Sequence, residues 1–475
     1  MKKKLFALLT AVIIIAACIL PASAFFDNGQ TNRYGWNWAH IVHSYLVPLD
    51  DGSYLCCNAE GSEFVAVSFG PDGKSNGEVF SLNCAPDTFA GFFAGEEYYF
   101  IATASDNEDE SDEKTVLTVI KYDKSFNRLG ATEFKGENTF VAVNAGSLRM
   151  TETGGKLYVH TCHTMYTSED GFNHQANMTF VIDESTMTKL DGFSGVMNLS
   201  WGYASHSFNQ FIDTDGDHIY RVDHGDAYPR GISVTKAAVG GKITDVDYAV
   251  PYSIPGTVGD NYTGVEVGGF AVGEKNLFIA AVEPDGETGR NEFLIVVSKN
   301  LKTVKKVDIG GSKEAQLINP FLVPYKDGKY LFMFEEYYAE SGTADIRCFI
   351  IDEDGNTESE ACAAFGTSFS DCRPVYCADG LVRWTVIEKG VLVLHTYDPA
   401  AEPPAFIPGD VNGNGKIDSA DYAMCKRAFL KTYTLDAGQL ERADINKNGK
   451  VDAAEYAMIK RHFLKTYVIP GAAGK

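Results

Sequence analysis

Gly273-Glu-Lys-Asn276-Leu-Phe-Ile-Ala280 reads as a turn glycine followed by an apolar strand. After a polar loop, Phe293-Leu-Ile-Val-Val297 supplies the unit's third strand, of the same character. Runs this short, rich in β-branched and aromatic residues and bounded by turn residues, belong to sheets rather than helices. The unit recurs along the chain. Its turn glycines are Gly52, Gly95, Gly155, Gly216, Gly273, Gly328 and Gly380, spaced 43 to 61 residues apart. The strands that follow include Tyr54–Cys57, Tyr98–Ala102, Lys156–His160, Asp217–Arg221, Lys329–Met333 and Leu381–Thr385. Third strands show in Val116–Asp123 and Met178–Asp183.

A period near 50 with four strands per unit predicts a β-propeller. Seven units fit residues 25–398. The last has three clear strands, ending with Val391–Tyr397, and a segment near Arg33 to Trp38 is expected to close the ring. A pair of β-sandwiches would need a linker near the middle, and none is visible. The one linker is 399–408, stiffened by Pro403, Pro404 and Pro408.

Beyond that linker one segment is written twice. Asp410-Val-Asn412-Gly-Asn414-Gly-Lys416-Ile-Asp418-Ser419-Ala420-Asp421 is repeated as Asp444-Ile-Asn446-Lys-Asn448-Gly-Lys450-Val-Asp452-Ala453-Ala454-Glu455. Side-chain oxygens at loop positions 1, 3, 5, 9 and 12, with the Lys416 or Lys450 carbonyl at position 7, form the oxygen cage a hard cation requires. Each loop precedes an amphipathic helical pattern, Tyr422–Tyr433 and Tyr456–Tyr467. The prolines before the first loop leave no room for an entering helix.

Residues 409–468 therefore resemble the type I dockerin module of cellulosomal and related secreted bacterial proteins. The resemblance implies two bound Ca2+ ions and a cohesin partner on a scaffoldin or surface protein. It places Ser419, Ala420, Lys426, Arg427 and Lys431 of the first copy on the cohesin-facing surface. Ala453, Ala454, Lys460, Arg461 and Lys465 are their second-copy equivalents. Many dockerins carry a hydroxyl pair at loop positions 10 and 11; here the pairs are Ser-Ala and Ala-Ala. Near-identity of the two faces implies that either can dock, by a half-turn of the module.

Met1-Lys-Lys-Lys4, the apolar run Leu5 to Leu20 and Ala22-Ser23-Ala24 read as a signal peptide, 1–24. The expected product is secreted, extracellular or held at the cell surface through cohesin, with no transmembrane segment and a tail at 469–475. The chain carries 41 basic and 64 acidic side chains, net −23. Loss of three lysines with the leader leaves 38 against 64, or −26. Such a surface repels nucleic acid and anionic membranes and favours neutral glycans or proteins. Cys425 stands where the other repeat has Ile459, so it reads as an apolar core residue. Cys372 and Cys377 are spaced so that they can pair, without being required to.

Histidines concentrate on one predicted face. His163 and His174 bracket the inner loop of unit three, and His160 precedes it. His224 opens the loop of unit four, and His206 lies on the connection into that unit. The candidate catalytic or binding set is His163, His174, Tyr203, His206, His224, Asp226 and Arg230, with Asp223 beside it. Histidine with Tyr and Arg suits proton abstraction and anion stabilisation. The competing reading is that these groups satisfy loop backbone and contacts between blades. His160, Cys162 and His163 also raise a zinc site, but on a strand His163 points away from the other two. The acidic run 106–113 reads as a solvated loop.

Three functions fit a secreted propeller with a dockerin. One is a polysaccharide lyase or glycoside hydrolase. Another is a glycan-binding subunit, in which Trp36, Trp38, Trp201 and Tyr203 stack on sugars. The third is a non-catalytic structural or protein-binding component. A hydrolase needs two flanking carboxylates, and no pair stands out in the sequence.

Overall fold

The computed structural model describes residues 41–143, 146–196, 205–286, 289–312, 315–338, 343–364, 367–388, 391–401, 406–413, 416–464, 466–467 and 469. The long first region is a seven-blade propeller of antiparallel sheets. Blade one is β1 Ser44–Pro48, β2 Tyr54–Glu60, β3 Glu63–Phe69 and β4 Ser75–Asn83. Blade two is β5 Thr88–Ala94, β6 Tyr99–Ala104, β7 Thr115–Tyr122 and β8 Arg128–Lys135. In blade three, β9 Thr139–Val141 pairs beside the sheet of β10 Arg149–Thr153, β11 Lys156–Thr167, β12 Asn173–Asp183 and β13 Thr188–Phe193. Blade four is β14 Ser205–Thr214, β15 His218–Ala227, β16 Gly231–Ala238 and β17 Val246–Ser253. Blade five is β18 Glu266–Val272, β19 Asn276–Asp285, β20 Gly289–Ser298 and β21 Val304–Ser312. Blade six is β22 Gln316–Pro324, β23 Tyr330–Tyr338, β24 Thr343–Ile351 and β25 Thr357–Ala364. Blade seven has β26 Val375–Tyr376, β27 Val382–Glu388 and β28 Val391–Tyr397. The expected closing strand near Arg33 to Trp38, and the expected leader, lie outside the described residues.

The apolar runs found in the sequence are the second and third strands. They need no alternation because neighbouring blades cover both faces. Tyr99–Ala104 is buried at every position, whereas the outer strand β4 alternates with solvent. Aromatic pairs fill the space between blades: Phe134 stacks on Phe180 at 4.1 Å, and Phe278 meets Tyr330 at 4.6 Å. Gly52, Gly155, Gly216, Gly328 and Gly380 take positive φ, as their turns require. Gly273 is needed for room instead, since a Cβ there would sit 2.7 Å from the Glu353 carboxylate of blade six.

A collar of hydrogen bonds joins inner strands around the channel. The Phe92 N–H donates to the Tyr45 hydroxyl at 3.3 Å. Ser147 donates to Asn209 Oδ1 at 2.5 Å and to Gln210 Oε1 at 2.8 Å. Asn209 Nδ2 donates to the Val267 carbonyl at 2.6 Å. The Asn319 N–H donates to Glu266 at 2.8 Å, and the Phe369 N–H to Glu335 at 2.8 Å. The His43 N–H donates to buried Asp371 at 3.1 Å, bringing the first and seventh blades together. Cys372 and Cys377 are free thiols.

The C-terminal module has three helices: α1 Ser419–Phe429, α2 Ala437–Ala443 and α3 Ala453–Phe463. The loop residues Asp418 and Asp452 cap α1 and α3, each in a reciprocal box with Asp421 or Glu455. Cys425 and Ile459 are both fully buried at equivalent positions. Tyr422 stacks on Tyr456 at 5.5 Å between α1 and α3. Among the described residues only the second loop has an entering helix, α2. The first is held by Arg442, whose guanidinium donates to the Val411 carbonyl at 3.1 and 3.2 Å. The module contacts blade six, where Tyr338 meets Tyr467 at 5.8 Å. No helix among the described residues is long and apolar enough to cross a membrane.

Candidate functional site

The two C-terminal loops are shaped by hydrogen bonds from their own backbone to their acidic side chains. Asp444 accepts from the Asn448 and Gly449 N–H groups at 3.0 and 2.8 Å. Asp421 accepts from Asn412 at 3.0 Å and from Asp418 at 2.9 Å. Glu455, at position 12, is fully buried, and its Oε1 has no hydrogen-bond partner. Burial, and then Asp410 and Asp418 nearby, raise the Asp421 carboxyl above its ordinary range. Asp444 is raised by burial and by Asp452. Crowded carboxylates and a buried oxygen without a donor fit a divalent cation, which supplies positive charge and accepts oxygen ligands. Among the described residues no three His, Cys, Asp or Glu groups converge as a metal cluster. Asn412, Asn446 and Asn448 add amide groups to these loops, and Asn414 lies outside the described residues.

In the propeller, blades three and four carry longer hairpins than the sequence implies. Strand β11 runs on to Thr167 and β15 to Ala227, so His163, His224 and Asp226 lie in strands and are fully buried. His163 Nδ1 sits 2.7 Å from the Thr139 hydroxyl. Burial drives its pKa down to about 4, partly opposed by the Ser194 backbone. His224 Nε2 lies 3.0 Å from Thr263; burial and then Arg230 push its pKa down to about 3. Both imidazoles are therefore neutral at neutral pH.

His160, placed beside the site by sequence, bridges Thr179 at 2.9 Å and Asp223 of blade four at 3.1 Å. Arg221 donates to Thr179, Thr235 and the Ile243 carbonyl. These groups link the two blades. His174 is separate: it stands on the partly exposed hairpin, 2.8 Å from Asp170. Tyr203 and Trp201 lie outside the described residues, as do Trp36 and Trp38. His206 falls in β14, with its side chain outside the description.

Among the exposed polar residues of this face stand three aromatic rings. Phe172, at the tip of the blade-three hairpin, is 67% exposed; Tyr228, at the tip of the blade-four hairpin, is 55% exposed; and Tyr262, on the connection to blade five, is 46% exposed. Arg230 fixes the last two relative to each other. It lies in the Tyr228 turn and donates to the Pro255 and Tyr262 carbonyls at 3.1 and 2.9 Å, and to the Asp260 carbonyl at 2.5 Å. The acidic loop 106–113 is not merely solvated. Glu110 accepts from the Thr167 N–H and hydroxyl at 2.7 and 2.6 Å, bracing the hairpin that carries Phe172.

Two further features escaped the sequence reading. Glu266, Glu292 and Glu335 are buried between blades five, six and seven. Glu335 accepts from Asn319 Nδ2 at 2.6 Å, and burial lifts its pKa to about 7 despite that bond. Glu292 is held well above the carboxylate range by burial and by Glu266. The channel also encloses a cavity of about 340 Å3 lined by Tyr45, Phe92, Arg149, Phe211, Asp213 and Arg373, among others. The Arg149 guanidinium lies 4.5 Å from the Phe211 ring centre, and that of Arg373 5.7 Å. Their signal in the sequence is weak, because each cluster draws its residues from more than one unit.

Residues 408–464 match the family model of the dockerin type I domain. No curated protein matches the chain. Among solved structures the chain is similar to an uncharacterized protein from Listeria monocytogenes EGD-e, with 13% identity over 76% of this chain and 97% of that one, TM-score 0.40. It is similar to prolyl oligopeptidase B from Galerina marginata, with 12% identity over 80% of this chain and 50% of that one, TM-score 0.46. A third is the β-propeller domain of the Trilobed protease from Pyrococcus furiosus, with 10% identity over 76% and 97%, TM-score 0.40. None of these likenesses bears on activity.

Proposed function

We propose that this is a secreted protein that docks on a cohesin module through its calcium-folded C-terminal repeat and carries a glycan-recognising propeller. The doubled ligand loop carries the docking reading. In each copy Asp410 or Asp444, Asn412 or Asn446, Asn414 or Asn448, Asp418 or Asp452, and Asp421 or Glu455 would hold one Ca2+, with the Lys416 or Lys450 carbonyl. Bound calcium neutralises the crowded carboxylates and orders the loops. Helices α1 and α3 carry the docking pairs, Lys426 with Arg427 and Lys460 with Arg461.

The glycan reading rests on Phe172, Tyr228 and Tyr262. Exposed rings held on braced hairpins suit stacking against sugar faces, because they lose little conformational freedom on binding. An acidic surface favours neutral polysaccharides there. The channel arginines add a local site for a carboxylate-bearing sugar end.

The test is cohesin binding with calcium and with excess chelator, together with affinity electrophoresis on neutral and acidic plant polysaccharides. Calcium-independent cohesin binding would sink the docking reading. Unchanged glycan retardation in F172A/Y228A would sink the recognition reading. Unsaturated products or new reducing ends released from the same polysaccharides would favour an enzyme instead.

A further inference from the structure

The repeated module allows its two halves to be compared position by position, and they are not equivalent in the whole chain. Arg427 stacks on Tyr433 with its guanidinium 5.1 Å from the ring centre, and Arg461 on Tyr467 at 5.0 Å. That contact belongs to the repeat itself. Arg461 alone has a second ring, Tyr338 of blade six, at 3.9 Å. Tyr338 also meets Tyr467 edge to face, and its hydroxyl donates to Glu336 at 3.1 Å, which orients the ring.

Burial shifts the same way at four equivalent positions near that contact, while Lys426 and Lys460, Phe429 and Phe463, and Leu430 and Leu464 are exposed alike. Arg427 is exposed and Arg461 half-buried; Ala423 is exposed and Ala457 half-buried. Met424 and Tyr433 are half-buried, while Met458 and Tyr467 are buried. Blade six covers Arg461 and Tyr467 directly, through Tyr338, and no propeller residue holds the equivalent Arg427 and Tyr433 among the described contacts.

We infer that blade six obstructs the second docking face at its Arg461 edge. Cohesin then binds the intact protein through the first copy, at Ser419, Ala420, Lys426, Arg427 and Lys431, all of them exposed. This rests on the docking reading above. A cation held over an aromatic ring and partly desolvated must leave both before it can serve a new partner. A partner seated over Arg461 would also meet the body of blade six. Ala453, Ala454 and Lys460 remain exposed, so removing the Tyr338 contact should restore the second face.

The experiment uses the full chain with calcium and an immobilised type I cohesin module. K426A/R427A should weaken binding about ten-fold or more, and K460A/R461A less than about two-fold. In a Y338A background the K426A/R427A loss should shrink to about two-fold, because the second face takes over. Arginine modification by phenylglyoxal, followed by mass spectrometry, gives a readout that needs no cohesin. Arg427 should label faster than Arg461 in the native chain, and Y338A should bring the two rates together. Equal losses from the two double variants, or equal labelling of the two arginines in the native chain, would overturn the inference. Absence of cohesin binding would count against the docking reading alone, and the labelling would still decide whether the second face is covered. Should Y338A fail to fold, native labelling and the two double variants decide the matter.

Discussion

Arg230 donates through Nη2 to the Tyr262 carbonyl at 2.9 Å, so the turn carrying Tyr228 and the loop carrying Tyr262 are fastened by one side chain. Its three carbonyl partners span residues 255 to 262. A planar guanidinium can serve all three, and a lysine ammonium on its flexible stem cannot hold the same fork. R230K should therefore lower glycan retention almost as far as R230A. Either change should cost about 1–3 kcal/mol in urea unfolding. Retention unchanged in R230A would show that the rim does not depend on this fastening.

His160 and Asp223 cross the boundary between blades three and four, 3.1 Å apart and buried. H160A leaves the Asp223 carboxylate short of a partner in a buried site. The expected loss is about 2–4 kcal/mol, measured by denaturant midpoint. Glycan binding by the folded fraction should survive. If H160A abolishes binding or turnover at unchanged stability, the histidine acts on ligand rather than on packing.

His163 and His224 predict acid sensitivity. Their folded pKa values, about 4 and about 3, lie below the ordinary 6.5. Between those limits the unfolded chain binds more protons than the folded one, so stability is full above about pH 6.5 and is lost as pH falls. H224N should flatten the decline of the thermal midpoint below pH 6. An identical slope in the variant would remove His224 from the account.

Glu335 acts in the opposite direction. Its folded pKa is raised from 4.5 to about 7, so the folded state holds the extra proton in that interval. Its contribution is full below about pH 4.5 and declines as pH rises toward 7. E335Q keeps the shape of the protonated acid and should make the melting temperature less dependent on pH over that interval. A steeper dependence in E335Q would contradict this assignment.

Calcium removal should act on one module. In excess chelator, or in D410A/D444A, cohesin binding and part of the helical circular dichroism signal should disappear, while the propeller keeps its melting transition. Full helicity in chelator would show that the repeat folds without metal.

Sequence alone determined whatever is local or repeated. The turn glycines and apolar strands recur within each unit, because every blade makes the same demand on its own stretch of chain. The two loops carry their candidate oxygen ligands within twelve residues, so the calcium proposal needs no tertiary contact to be read. Asn209 and Gln210 are neighbours in the chain, but only the ring shows Ser147 and Val267 among their partners.

Tertiary structure decided the rest. It showed β11 and β15 extending far enough to bury His163 and His224, which the sequence reading had placed at loop mouths. It joined Glu266, Glu292 and Glu335 from three different strands, and set Tyr338 against Arg461. These contacts link segments tens to more than a hundred residues apart. Periodicity reports only which face of a strand is covered; it does not say by what. The partner depends on how neighbouring blades and modules pack, and that is set by the closed ring as a whole.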